Sequence, residues 1–549
     1  MSRRSILLGG TTLAAASVMA AGNSVRTAHA QEVLPLPEPP FRGTIGRTYK
    51  DSTPDKIPIV NAPEGAPNVL LVLIDDCGFG QWSTFGGQIP TPNLDRLAKA
   101  GLRYTRFHTT ALCSPTRAAL LTGRNHHSAS TGVITELGSG YPGYTGQVPS
   151  NCAMVSEVLR QHGYSTAFFG KNHNVADWET SVSGPYDRWP TRQGFDHFYG
   201  FIAGEANQWA PALYRDNTPI EMEVPRGREA DYTLNEALAD EAIKYINQQK
   251  SVTPDRPFFV YYAPGATHAP HHVPKAWVDK FKGQFDQGWD RYREETFQRQ
   301  LRLGVIPADT KLTPRPQQIP AWASLSADQK RIAARLMETF AGYTAQTDFQ
   351  VGRILDTLDA IGQTENTLIF WEIGDNGASL EGTLNGVFNE MVPLNGSQED
   401  PNYILAHLDE IGGPKSFNHY PVGWAWAMDT PFQWGKQVTS HFAGTRNARH
   451  LLARPDQGQG RHPDPVPPRH RHRADDPGGG RHRAAFGGQR GHATADRGDQ
   501  HGLQLRRREG RGASPGPVFR DVRQPRDLRQ RMGRRGPAWA PAVGKHRHV

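Results

Sequence analysis

The sequence predicts an α/β domain around a largely parallel sheet, and three observations predict it. Four short runs between residues 68 and 377 are apolar at nearly every position, the pattern of strands buried on both faces. Stretches with apolar residues at helical spacing lie between them, and such alternation places helices over a parallel sheet. Three of the runs close in charged or amide residues, and the fourth leads into a histidine-rich loop.

In chain order, the N-terminus MSRRSILLGGTTLAAASVMAAGNSVRTAHAQE carries Arg3-Arg4, a mildly apolar stretch and Ala28-His29-Ala30. This reads as a cleavable signal peptide over residues 1–30, of the twin-arginine type that exports folded cargo. The stretch is rich in Ala, Gly and Thr, whereas a spanning helix needs roughly 20 strongly apolar residues, so no stable membrane anchor is expected. The twin-arginine export machinery is then a partner, and the location is periplasmic or secreted. Residues 31–60 form an N-terminal linker.

Strands are predicted at NVLLVLIDD (residues 68–76), STAFFGK (165–171), PFFVYYAPG (257–265) and NTLIFWEIGDNG (366–377). Helices are predicted at TPNLDRLAKAG (91–101), AMVSEVLRQHG (153–163) and TLNEALADEAIKYINQQ (233–249). A long helix fits residues 326–362, where Ser326 and Gln329 stand in capping-box positions.

Ligands of open α/β sheets gather outside the carboxyl ends of the strands. The residues there are Asp75 and Asp76, Lys171 and His173, His268, and Asp375 and Asn376. Three carboxylates and an amide oxygen, without a cysteine pair, make a hard oxygen site that suits Ca²⁺ or Mg²⁺ better than Zn²⁺. His268, His271 and His272 in THAPHHVP could be a zinc cluster or loop histidines. A divalent cation beside Lys171, Arg117 and imidazoles suits an anionic substrate.

The stretch ALCSPTRAALLTGRN (residues 111–125) sets Cys113 just before a helix start, with Pro115 in the first turn and Arg117 one turn on. Helix N-termini attract anions and lower thiol pKa values. A cysteine-phosphatase loop spaces its residues Cys-x5-Arg, and the spacing here is Cys-x3-Arg. With Cys77, Cys113 and Cys152 as the three cysteines, no disulfide framework is implied.

CSPTRAALLTGRN resembles the sulfatase signature Cys-x-Pro-x-Arg followed by Thr-Gly-Arg. The resemblance implies an alkaline-phosphatase-like α/β fold and an arylsulfatase hydrolysing a small-molecule sulfate ester. It implies that a maturation enzyme converts Cys113 to formylglycine, whose hydrated aldehyde is the nucleophile. Asp75, Asp76, Asp375 and Asn376 would hold Ca²⁺, or Mg²⁺ as the alternative, together with the modified Cys113. Arg117 would hold the formylglycine, while Lys171, His173, His268 and Lys436 would surround the sulfate. His268 would be the acid for the leaving group and His173 the base. A phosphonate monoester or phosphodiester hydrolase with the same nucleophile is the neighbouring expectation, and an inactive product the non-enzymatic one. Two departures stand out: GKNHN replaces the common Gly-Lys-Trp-His, and FAGTRN follows Lys436 where many relatives carry Glu-Gly-Gly.

The resemblance runs from about Asn68 to Asn447, within a catalytic domain expected over residues 61–447, and the composition then changes. The chain carries 62 Lys plus Arg against 54 Asp plus Glu. Residues 449–549 hold 22 Arg and one Lys against nine acids, with no Ile, Tyr or Asn, leaving 39 basic and 45 acidic residues before them. The basic excess belongs to this tail, so no nucleic-acid partner is implied for the main domain. Arg, Gly, Pro, Ala and His dominate when a GC-rich gene is read out of frame. Written in suitable codons and read one nucleotide later, RHLLARPDQGQG (residues 449–460) becomes VISWPARIKDKG, and the two stretches from Arg461 and Gly491 likewise recover strand-like and helix-like patterns. The sequence therefore predicts a frameshift between Asn447 and Arg449, a disordered tail over 448–549, and a sulfatase core whose sheet edge beside Asp375 and Lys436 is left uncovered.

Overall fold

The computed structural model describes residues 40–55 and 60–452. The signal peptide expected over residues 1–30, part of the expected linker, and the tail expected to be disordered, beyond Leu452, lie outside the described residues. The chain divides at Val60. The N-terminal unit contains a bridge between Thr44 and Thr53 and a 3₁₀ turn at Tyr49–Asp51.

The large unit is built on one nine-stranded sheet: β1 (Asn68–Leu73), β2 (Leu102–His108), β3 (Ser165–Asn172), β4 (His197–Ile202), β5 (Leu213–Arg215), β6 (Thr218–Ile220), β7 (Phe258–Ala263), β8 (Thr367–Ile373) and β9 (Arg446–Leu452). Their order across the sheet is β2-β9-β8-β1-β7-β3-β4-β5-β6. From β8 to β4 the neighbours are parallel, so their carboxyl ends share one rim. The predicted α/β class and its four strands are all present in this parallel centre.

β1 shows why the apolar runs have no polar face. Leu70 and Val72 enter one core with Leu238, Ala242 and Ile246 of α4 (Leu234–Val252) and Ile354 and Leu358 of α7 (Ala327–Ala360). Leu71 and Leu73 enter the opposite core with Leu121 of α2 (Cys113–Thr122) and Phe168, Phe259 and Tyr261 of the neighbouring strands. The other predicted helices are α1 (Pro92–Ala100) and α3 (Val155–Gln161). At the start of α7, Gln329 N donates to Ser326 Oγ at 3.2 Å and Ser326 N to Gln329 Oε1 at 2.9 Å, completing the capping box. The short α5 (Lys275–Val278) and the longer α6 (Gly288–Leu303) were not foreseen. Trp289 of α6 packs edge-on to Trp322 and Trp424.

The domain limit expected after Asn447 falls inside β9, which runs on to Leu452. β9 pairs antiparallel with β2 on one side and β8 on the other, so the edge of β8 expected to be bare is covered. Ladders are made by backbone N–H and C=O groups, which a change in side-chain composition leaves intact. Arg449, the first residue of the compositional tail, has Nε 2.9 Å from Oε1 of buried Glu372. Its guanidinium lies over the rings of Phe107 and Phe370.

Candidate active site

The rim of the parallel strands carries most of the residues singled out from the sequence for the site. β1 runs into Asp75 and Asp76, β3 contains Lys171 and leads to His173, β7 leads to His268, and β8 leads to Asp375 and Asn376. Helix α2 begins at Cys113, one residue earlier than expected, with Leu112 as its N-cap. Pro115 falls within the first turn, where its missing N–H has no helical partner to lose. Lys436, the remaining sequence candidate, enters on the loop after Val422–Met428.

Asp75, Asp76 and Asp375 are buried, and each offers a carboxylate oxygen within 4.8 Å of the others. Arg117 clamps two of them: Nε and Nη2 lie 3.0 and 2.8 Å from Asp375 Oδ2, and Nη2 lies 3.3 Å from Asp75 Oδ2. Lys171 Nζ donates to the same oxygen of Asp75. Asn376 Nδ2 donates to Asp76 Oδ1 at 2.7 Å. Asp75 Oδ1 and Asn376 Oδ1 are buried and meet no hydrogen-bond donor. Buried polar oxygens without partners are costly, and an unpartnered Asp75 oxygen and an unpartnered Asn376 amide oxygen in a cluster of three carboxylates fit a hard cation.

The charges around this cluster follow from burial set against neighbours. Burial pushes Asp75 up, but Lys171 and Arg117 outweigh it and hold the carboxyl well below its usual range. Asp375 is pushed up to about 8 by burial and by the Asp75 charge. Burial works against the charged forms of Arg117 and Lys171, and the carboxylates hold both cationic. A bound dication would invert the pressure on Asp375 and favour its ionised form.

Cys113 Sγ lies 3.0 Å from His173 Nδ1. Burial, helped by Lys171 and Arg117, holds His173 toward its neutral form against the pull of Glu136. On the far side, Lys436 Nζ lies 3.0 Å from Asp76 Oδ2, 3.0 Å from His268 Nε2 and 2.8 Å from Glu381 Oε2. Burial opposes its charge, and Asp76 and Glu381 raise its pKa well above the ordinary lysine value.

Not all of the histidine-rich loop reaches the site. His271 packs against Phe340, His419 and Tyr420. His272 Nε2 meets the Ser416 carbonyl, and its Nδ1 accepts from Gln208 N. The zinc cluster considered for His268, His271 and His272 therefore does not assemble, because the last two rings are taken up by packing and backbone. Sequence reasoning missed Glu136 and Glu381. Glu381 had a signal, since it lies six residues beyond Asp375 on the same loop. Glu136, in a 3₁₀ turn between α2 and α3, had none.

A family profile for sulfatases matches residues 67–447, which carry the whole of this rim. The chain belongs to the sulfatase family. This sulfatase is 30% identical to an arylsulfatase of Klebsiella aerogenes over 396 residues, covering 70% of the chain and 80% of that relative. It is 32% identical to an uncharacterized sulfatase of Schizosaccharomyces pombe over 394 residues, covering 67% of each. Among solved structures, it is similar to Ps i-CgsB in complex with k-i-k-neocarrahexaose, with a TM-score of 0.46 and 21% identity, covering 70% of this sulfatase and 65% of that chain. The PsFucS1 sulfatase of Pseudoalteromonas sp. gives a TM-score of 0.41 and 19% identity, covering 70% and 62%. The chain thus spans just under two thirds of each of these two solved structures.

Proposed function

We propose that the chain is an arylsulfatase whose nucleophile is formylglycine made from Cys113 and whose site holds a divalent cation, Ca²⁺ or alternatively Mg²⁺. The observation that carries the reading is the meeting of Cys113, at the N-terminus of α2, with Arg117, Lys171, Lys436, His173 and His268 around three buried carboxylates. Asp75, Asp76, Asp375 and Asn376 would hold the cation together with position 113. When bound, the cation supplies positive charge to the sulfate oxygens, and formylglycine supplies a hydroxyl nucleophile with its own release step.

The chain's own groups divide the remaining work. Lys171 and Lys436 hold the sulfate by charge, and Arg117 holds the modified residue and the carboxylates in place. His268 is 10% exposed and within reach of Lys436, a position from which its ring can give a proton to the leaving alcohol or phenol. His173 takes the proton from position 113. The test is hydrolysis of an aryl sulfate, paired with a phosphonate monoester, by protein from a host that carries a formylglycine-generating enzyme. The tryptic peptide containing Cys113 should carry an aldehyde that reacts with a hydrazide. Active protein with only free thiol at Cys113 would overturn the mechanism, and a preference for the phosphonate would move the substrate assignment. Export by the twin-arginine route to the periplasm or medium is part of the same proposal, checked by fractionating the cells.

We also infer that the reading frame changes between Asn447 and Arg449. The family match ends at Asn447, where the composition changes, and the residues after it can be written in codons whose next frame reads as patterned sequence. Three versions of the chain test this: as printed, cut after Leu452 so that β9 is kept, and frame-corrected. The corrected chain should be the most soluble and active. Equal solubility and activity in the printed chain, with a protease-resistant tail, would make the tail a genuine part of the protein.

A further inference from the structure

Glu136 lies outside the sheet, yet both of its oxygens stand 2.8 Å from His173 Nε2. The opposite ring nitrogen, Nδ1, stands 3.0 Å from Cys113 Sγ. Space for the pair is left by Gly204, just after β4. A Cβ there would lie 3.0 Å from His173 Cε1 and 3.1 Å from Glu136 Oε1.

A neutral imidazole carries one N–H, and an ionised carboxylate can only accept. The Glu136 side chain keeps 41% of its surface in solvent, so it is ionised near neutral pH. The ring proton must then sit on Nε2, facing Glu136, and Nδ1 must present a lone pair to position 113. We propose that Glu136 is the positioning residue that sets this tautomer of His173 and so makes the imidazole a proton acceptor toward the nucleophile. In the reaction proposed above, on which the kinetic consequence rests, a hydroxyl proton of the residue at 113 passes to Nδ1. The Nε2 proton stays on the ring, and the imidazolium formed faces the Glu136 charge. The logic is that of a carboxylate–histidine–nucleophile triad, in which the carboxylate orients the ring and stabilises the imidazolium.

The experiment compares the full chain with Glu136→Asp, Glu136→Gln and Gly204→Ala. Nitrogen-15 NMR of the histidine rings, with His173 assigned by loss of its signal in His173→Gln, reads the tautomer without any substrate. The parent should show Nε2 protonated and Nδ1 bare. Glu136→Gln, whose amide can either accept from Nε2–H or donate to a bare Nε2, should lose the single tautomer and put part of the proton on Nδ1. In the aryl sulfate assay Glu136→Gln should lose about 10²–10⁴-fold in kcat, the usual worth of a general base, with KM little changed. Glu136→Asp, which keeps the carboxylate, should lose less. Gly204→Ala, which crowds the pair without removing a charge, should fall between parent and Glu136→Gln. A merely structural Glu136 predicts the reverse order, because Gln preserves shape better than Asp. A parent with Nδ1 protonated, or a Glu136→Gln variant with parental kcat, overturns the proposal. A parent inactive on every sulfate ester would instead defeat the sulfatase reading, and the NMR result would still decide the role of Glu136.

Discussion

Arg117→Ala should destabilise the protein more than the loss of its hydrogen bonds accounts for. The guanidinium is 1% exposed and is shared between Asp75 and Asp375. Asp75 would still have Lys171. Asp375 would keep, among the described contacts of its side chain, the Asp76 N–H at 3.3 Å. A hydrogen bond to a charged group contributes about 1.5–3 kcal/mol, whereas breaking a buried ion pair and stranding one charge costs about 3–5 kcal/mol. At pH values where Asp375 is ionised the second effect dominates, and it lowers the folded-to-unfolded ratio by roughly 10²–10⁴-fold, since about 1.4 kcal/mol is a factor of ten. The pH dependence separates the two effects. Asp375 is pushed up to about 8 in the fold against an unfolded value near 4, and loss of Arg117 raises it further. Such a group favours the fold fully below its unfolded pKa, and that contribution is lost as pH rises through the folded value. The deficit of the variant should therefore shrink toward pH 4 and be largest above pH 8. Urea unfolding followed by tryptophan fluorescence, in chelator and again in Ca²⁺, measures it, with Ca²⁺ narrowing the gap by binding the folded form. Arg117→Ala/Asp375→Asn, which removes the stranded charge, should be more stable than Arg117→Ala while staying inactive. A single variant that unfolds at the parental midpoint, or a double variant no more stable than the single, would refute the reasoning.

Cys113→Ala should abolish turnover and leave the unfolding midpoint nearly unchanged, because its side chain makes one described hydrogen bond, to His173; substantial residual activity would exclude position 113 as the nucleophile. Asp75→Asn removes a hard anionic ligand, so activity should fall by about two orders of magnitude or more, as for loss of strong transition-state electrostatics, and recover poorly with added Ca²⁺. Activity lost on zinc removal and restored by zinc alone would count against an oxygen site. Asp348 accepts from the backbone N–H groups of Asn93 and Leu94 at the start of α1, so Asp348→Ala should cost about 2–4 kcal/mol by leaving two donors without partners. Its carboxyl is pushed up to about 6 by burial; the associated stability should be complete below about pH 4 and lost as pH rises through 6, a dependence that Asp348→Asn should flatten in thermal melts.

The parallel centre of the sheet was legible because its strands are long, continuously apolar and separated by periodic helices. β1 shows this at single residues, with Leu70 and Leu71 entering opposite cores. β5 and β6 have three residues each, too few for any period to show. β2 is largely exposed, so no apolar run marks it. β9 is made by backbone pairing across a change of composition, and that pairing is indifferent to the side chains by which the sequence is read.

The site divides the same way. Asp75, Asp76, Lys171, His173, His268, Asp375 and Asn376 could be named from sequence because parallel strands deliver their C-terminal residues to one rim, and Cys113 and Arg117 because they sit in a specific motif. By itself the sequence determined which residue types chemistry would need and on which strand ends they stand. Only the tertiary structure decided which neighbours they meet. It turned His271 and His272 into packing, joined Lys436 to Asp76 and Glu381, and brought Glu136 to His173 across 37 positions. Those contacts depend on loop paths set by long-range packing, and no local period or spacing encodes them.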